Sequence, residues 1–309
     1  IDDIYVIFGH THEDVEARLS CRDNVKCIFQ KEQLGTGHAA MQAKDYIEDD
    51  DLVLIVNGDM PLISPYTITS FISFLELGNY DGALVSAVFD ETPAYGRIIR
   101  DKFGNLSKIV EQKDCNEDEL AIKEVNIGLY CFKGKYLKET FSKLNNNNAQ
   151  KEYYITDVPY YIIEKGGRIG VYVIPNSDEA QGVNSRNDLS IVTKTLLRDN
   201  RIKHMDNGVT LIDPDNTYIS LDVSIGKDTI IYPGTNIQGE TIIGENCIIG
   251  PNSTIISSSI GDNTTVESSK IDRASIGKNC IIGPFTNIEK NTYIKDNTAV
   301  DSLKTISNK

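Results

Sequence analysis

An isoleucine recurs at every sixth residue late in the chain, at Ile219, Ile225, Ile231, Ile237, Ile243, Ile249 and Ile255. After short register slips the series resumes at Ile260, Val266, Ile271, Ile276, Ile282, Ile288, Ile294 and Val300. A period of six matches neither a helix face nor a half-buried strand. It matches a parallel β-helix, in which each short strand gives one apolar side chain to a prism-shaped core. A β-sandwich would instead alternate with period two between irregular turns. Gly follows the key Ile at Gly226, Gly244, Gly250, Gly261, Gly277 and Gly283, which suits turns with unusual torsions. With three hexapeptides to a turn of the helix, the segment 217–309 holds about four to five coils.

The first part of the chain is written differently. IYVIF (4–8), VKCIF (25–29), LVLIV (52–56), ALVSAVF (83–89), VNIGLYCF (125–132) and IGVYVI (169–174) read as strands. Helical patterns over 37–48, 65–77 and 155–165 separate several of them. Continuous apolar runs alternating with helices predict an α/β unit with a largely parallel sheet covered on both faces. Leu189, Val192, Leu196 and Leu197 then mark one face of a helix. The expected organisation is an α/β domain over 1–186, a linker helix and connection over 187–216, and a partial β-helix over 217–309.

Charge and cysteine content narrow the function. With 31 Lys and Arg against 45 Asp and Glu, the net charge is −14, so the surface as a whole repels nucleic acid and anionic membranes. A small anionic substrate is still allowed, because backbone N–H groups and a divalent ion act locally. The six cysteines, Cys21, Cys27, Cys115, Cys131, Cys247 and Cys280, form no C-x-x-C pair and read as reduced core residues of a cytoplasmic protein. There is no apolar run long enough for a transmembrane helix and no signal-peptide pattern. The chain opens at Ile1 directly on a strand, and an α/β domain seldom begins that way, so a preceding segment is expected.

In open α/β sheets ligands bind beyond the carboxyl ends of strands. LIVNGDMPLI (54–63) runs off such an end into Asn57, Gly58 and Asp59. Asp59 is either a hard oxygen ligand for Mg²⁺ or a cap for the turn before Pro61. QKEQLGTGHAA (30–40) places Gly35, Thr36 and Gly37 at a helix entrance, where free N–H groups bind anions or base edges. His38 reads as a first-turn or packed histidine more readily than as a catalyst. His10 and His12 in GHTHED lack a third ligand for a metal. AYGRI (94–98), IVEQKD (109–114), EVNIGLY (124–130), NNAQKEYYITD (147–157) and QGVNSR (181–186) set polar residues beside Gly or at strand ends. Each is a ligand-reading loop or an ordinary turn.

Taken in order and followed by hexapeptides, these motifs closely resemble the bacterial bifunctional N-acetylglucosamine-1-phosphate uridyltransferase and glucosamine-1-phosphate acetyltransferase family, over nearly the whole chain. The resemblance implies a Rossmann-like nucleotide-diphospho-sugar transferase domain followed by a left-handed β-helix. It implies transfer of UMP from UTP to N-acetylglucosamine 1-phosphate, giving UDP-N-acetylglucosamine, a cell-wall precursor, and pyrophosphate. Carried over, Gln30, Gly35 and Thr36 would read the uracil, and Asn57, Gly58 and Asp59 would line the phosphate path. Asp59 and Asn184 would hold Mg²⁺, and Gly96, Glu111, Asn126, Tyr154 and Thr156 would bind the amino sugar. No side chain need attack, because the sugar phosphate already carries the nucleophile. A homotrimer is the family's usual state.

Two departures qualify the likeness. The family's Gly-rich, cationic N-terminal signature is not in this sequence, which implies weak UDP-sugar binding and slow turnover by these residues alone. No His follows His204, so the acetyltransferase activity does not carry over. The alternatives are another sugar-1-phosphate nucleotidyltransferase and a non-catalytic β-helix scaffold. The joint presence of Asp59 and Asn184 argues against the scaffold.

Overall fold

The computed structural model describes residues 1–9, 12–19 and 22–307, and they divide into two compact units, Ile1–Asn184 and Ser185–Lys309. The first unit opens with β1 (Ile4–Phe8), α1 (His12–Leu19) and β2 (Val25–Phe29). β1 and β2 pair in parallel, Ile4 opposite Val25. Next come α2 (Thr36–Met41), β3 (Leu52–Val56), α3 (Pro65–Leu77), β4 (Gly82–Val88), β5 (Arg97–Arg100) and β6 (Leu106–Val110). They are followed by α4 (Glu117–Leu120), β7 (Glu124–Lys133), α5 (Gly134–Phe141), α6 (Val158–Glu164) and β8 (Ile169–Val173).

The start of α3 follows from its sequence. Ser64 Oγ accepts from the Thr67 N–H at 3.1 Å and Pro65 takes the first helical position. The helix expected over 37–48 is shorter, ending at Met41 with one separate turn at Lys44–Tyr46. Beyond it, the carbonyls of Asp49 and Asp51 accept from Lys135 and Gly134 at the head of α5, which holds that stretch out of helical geometry.

The expectation of a largely parallel sheet needs correction. The strand order is β6-β5-β7-β4-β8, with β3 also on β7, and β7 runs antiparallel to β3, β4 and β5. Only β4 with β8 is parallel in this sheet. The reversal begins at β5 and β6, a pair joined by a tight turn. There Asp101 Oδ1 accepts from Phe103 and Asn105 at 2.8 and 2.9 Å. A turn that short makes antiparallel neighbours, whereas parallel ones need a crossover.

Both faces of the sheet are nevertheless covered. Ala83, Val85, Ala87, Val125, Ile127 and Leu129 pack with Phe71 and Leu75 of α3. Leu84, Tyr130 and Phe132 pack with Leu137 and Phe141 of α5 and Val158 and Ile162 of α6. Cys131, buried on the first face, has its thiol pKa pushed up to about 12 by burial, as expected of a core cysteine. Cys27, Cys115, Cys131, Cys247 and Cys280 are all free thiols, while Cys21 lies outside the described residues. Among the described residues no helix is long and apolar enough to cross a membrane.

The second unit begins with α7 (Arg186–Asp206), started by a capping box between Ser185 and Asp188. Seventeen strands of two or three residues follow, from Thr210–Leu211 to Thr305–Ile306. They stack as three parallel sheets six, five and six strands deep, between five and six coils. This exceeds the expected four to five because strands Thr210–Leu211 and Thr305–Ile306 pair on at either end of the Ile/Val series. All fifteen residues of the Ile/Val series are at most 9% exposed and stack in register, as Ile255, Ile271 and Ile288 do.

The expected unusual torsions are found at Gly250 and Gly283, with φ of 103° and 116°, but the other four glycines have a different role. Gly226, Gly244, Gly261 and Gly277 keep ordinary torsions. A Cβ there would meet the coil above, at 2.6 Å from the Gly244 carbonyl carbon for Gly226 and 2.7 Å from that of Gly277 for Gly261. Left-handed torsions fall largely on Asp228, Asn246, Asn252, Asn263, Asn279, Asn291 and Asn297, the residue types that tolerate them best after glycine. The slips to five-residue spacing coincide with tighter corners at Ser257, Ser268 and Arg273, where φ is 44–48°.

Candidate functional site

Gln30 extends the β1–β2 ladder by one bond, its N–H donating to Phe8 O at 2.9 Å. It is buried, with Nε2 2.8 Å from His38 Nδ1 and 3.4 Å from Gly35 O. His38 is therefore a packed first-turn residue of α2 that also meets Gln42. Gly35 has φ +103°, and a Cβ on it would lie 2.7 Å from Tyr153 O, so both torsion and space require glycine. The turn is stitched to a second segment. Tyr153 N donates to Leu34 O and Gly37 N to Tyr153 O, both at 2.7 Å, and Thr36 Oγ1 accepts from Ile155 N at 3.2 Å.

One residue beyond that stitch, Thr156 Oγ donates to Glu111 Oε1 at 3.0 Å. Glu111, Tyr154 and Thr156 line a cavity of about 340 Å³ together with Asp114 and Asp157. The Tyr154 hydroxyl accepts from Gln150 at 3.1 Å and donates to Asp114 Oδ2 at 3.3 Å. Burial raises the Glu111 pKa, opposed by the Thr156 bond and reinforced by Asp114, Asp157 and Glu152. Asp157 is raised by burial and by Asp114. Such a cavity favours a ligand with several hydroxyl or N–H donors. Gly96 and Asn126 are not part of that lining; Gly96 lies beside Glu111, with an added Cβ 3.6 Å from Oε2, Asn126 N donates to Gly96 O at 2.8 Å, and Asn126 Nδ2 donates to Tyr130 Oη at 2.7 Å.

β3 delivers the third group. Val56 pairs with Leu129, and Asn57 N donates to Gly128 O at 3.3 Å. A Cβ at Gly128 would collide with the Asn57 amide. Gly58 stands in open space and Asp59 is exposed. The Asp59 carbonyl accepts from Val183 N at 2.9 Å, which brings the exposed Asn184 to a neighbouring segment. The Tyr95 hydroxyl fixes that segment, accepting from Gly182 N and donating to Ala180 O, both at 2.9 Å. A carboxylate and an amide oxygen are hard donors, and two of them leave room for the water and phosphate ligands that Mg²⁺ prefers, so the residues fit that ion. Among the described residues no group of three or more His, Cys, Asp and Glu is placed to hold a metal. His10 and the His12 side chain lie outside them.

Sequence reasoning passed over Tyr95, Asp114 and Asp157, although each sits inside a quoted motif. Their partners are distant in sequence, so only the fold reveals their use.

A nucleotidyl transferase family model matches residues 1–176, and a model for the bacterial transferase hexapeptide (six repeats) matches residues 222–257. The protein named bifunctional protein GlmU from Clostridium acetobutylicum is 48% identical over 88% of this chain and 59% of its own length. Those from Caldanaerobacter subterraneus subsp. tengcongensis and Alkaliphilus metalliredigens are 45% and 41% identical, over 95% and 99% of this chain and 64% and 67% of their own lengths. The chain thus spans about three fifths of the first of these relatives. With more than half of its residues under the first of these models and relatives of this closeness, the chain belongs to the nucleotidyl transferase family.

Proposed function

We propose that the first unit transfers UMP from UTP to N-acetylglucosamine 1-phosphate, giving UDP-N-acetylglucosamine and pyrophosphate. The observation that carries this reading is the single backbone run 153–156. It is bonded at one end to the Gly35–Thr36–Gly37 turn and at the other, through Thr156, to Glu111. A base reader and a sugar reader joined in this way suit one substrate pair held end to end. The nucleotidyl transferase family model over residues 1–176 supports nucleotidyl transfer as the reaction class.

Gln30, Gly35 and Thr36 take the uracil edge, His38 fixing the Gln30 amide. Glu111, Thr156 and Tyr154 take the amino sugar in a cavity lined by acceptors for its hydroxyl and amide donors, with Gly96 beside Glu111 and Asn126 bonded to Gly96. Asn57, Gly58 and Asp59 line the phosphate path, where Gly58 leaves space for the triphosphate. A phosphate oxygen of the sugar phosphate attacks the α-phosphorus, the bond to the bridging oxygen breaks, and pyrophosphate leaves with that electron pair. The protein contributes alignment, so no nucleophilic or base side chain is required. Mg²⁺ held by Asp59 and Asn184 would neutralise charge on the phosphates. The prism supports homotrimer assembly, with outward-facing Ile242, Ile281 and Tyr293 58–61% exposed and available for burial.

A thermal-shift panel with Mg²⁺ tests the proposal. Stabilisation scales with RT ln(1 + [L]/Kd), and UDP-N-acetylglucosamine should raise the midpoint more than thymidine or adenosine diphospho-sugars at equal concentration. A larger shift from either of the others would redirect the assignment to another sugar-1-phosphate nucleotidyltransferase.

A further inference from the structure

The second unit holds its own cavity, of about 580 Å³, between α7 and the first coils of the prism. Lys194, Arg198 and Arg201 line it from the helix, at spacings of four and three that put them on one face. In a chain of net charge −14, three cations facing one cavity are conspicuous. Cations on a helix commonly snorkel to solvent, and Lys194 and Arg198 are exposed in that way. Arg198 also lies 3.1 Å from Asp199, both side chains more than half exposed, a contact that water screens.

Arg201 is different. Its side chain is only 13% exposed, and Asp215 lies 3.6 Å away with a side chain 96% exposed. Among the described residues the buried Arg201 Nε has no hydrogen-bond partner, and neither does the buried Asn236 Oδ1 in the same lining. Each orphaned group carries a desolvation cost that a partner would remove. The pair calls for complementary groups: an acceptor, preferably anionic, for the guanidinium, and a donor for the amide oxygen. Inorganic phosphate meets the first need best, and an ester with a free hydroxyl meets both.

We propose that this cavity is a binding site for a small phosphate monoester with a free hydroxyl group. Arg201 and Arg198 hold the phosphate, Lys194 adds charge at the mouth, and Asn236 accepts from the hydroxyl. The lining lies wholly within Ser185–Lys309, so the site is separate from the groups assigned to uridylyl transfer.

Calorimetric titration at fixed ionic strength tests it, with glycerol 3-phosphate as probe and inorganic phosphate and glycerol as comparisons. Glycerol 3-phosphate should bind about tenfold more tightly than inorganic phosphate, the worth of one added hydrogen bond, and glycerol should not bind. The double substitution Lys194→Gln, Arg198→Gln removes exposed charge, so the fold should persist. It should weaken the ester about tenfold or more and leave the response to UDP-N-acetylglucosamine unchanged. Asn236→Ala removes the acceptor for the ligand hydroxyl and should cut glycerol 3-phosphate affinity about tenfold, to that of inorganic phosphate. Absence of ester binding, binding indifferent to the double substitution, or unchanged ester affinity in Asn236→Ala would overturn the proposal. Equal affinity for phosphate and the ester would overturn the ester assignment.

Discussion

Glu111 is a carboxylate held mostly out of water, bonded to Thr156 and surrounded by Asp114, Asp157 and Glu152. Its folded-state pKa lies above the ordinary 4.5, with burial the main cause. The folded state therefore binds the proton to higher pH than the unfolded chain does. Its stabilising contribution is full below about 4.5 and is lost as pH rises through the raised value. Replacement by the neutral amide should remove that loss. Glu111→Gln is expected to melt at the same or a higher temperature than the wild type near neutral pH, with a flatter pH profile. Its affinity for N-acetylglucosamine 1-phosphate should fall about tenfold, since a charged acceptor is lost. A lower midpoint at neutral pH, or unchanged affinity, would contradict the role given to this carboxylate. The sequence offered Glu111 and Thr156 in two motifs 45 positions apart. Their types were legible there, but their contact and the acidic neighbours were not, because tertiary packing alone sets a distance across such a separation.

Among the elements, the hexapeptide strands were the most legible, because each repeats one spacing rule and buries one residue. Ile271, fully buried between Ile255 and Ile288, illustrates the energetics. Ile271→Ala should cost about 2–5 kcal/mol by loss of apolar burial and opening of a cavity. Ser275→Ala, at an exposed position one residue before buried Ile276, should stay within about 0.5 kcal/mol. Denaturant unfolding of the second unit checks both, and similar costs for the two would contradict a one-residue-per-strand core. The corner chemistry was read correctly at Gly250 and Gly283 but not at Gly226, Gly244, Gly261 and Gly277, because glycine serves two physical needs, torsion and clearance, and the sequence does not distinguish them. The β5–β6 arm was missed for another reason. Arg97 is 2% exposed, its guanidinium bonded to Pro93 O, Tyr95 O and Thr92 Oγ1. A buried cation in a short strand breaks the apolar pattern by which strands are recognised.

At the scale of the molecule, two units built on different rules share one chain. Apolar runs and hexapeptides declared their classes, whereas the antiparallel pairing of β5 with β6 depended on a turn at Asp101 that no period reveals. The central claim concerns the first unit: one backbone run couples a uracil-reading turn to a sugar-reading cavity. Amide chemical-shift mapping tests it most directly, using UMP, N-acetylglucosamine 1-phosphate and UDP-N-acetylglucosamine in turn. UMP should perturb the amides of Gln30 and Gly35–Gly37, the sugar phosphate those of Glu111, Asn126 and Thr156, and the nucleotide sugar both sets together. Perturbation of only one set by UDP-N-acetylglucosamine, or of neither, would contradict the account.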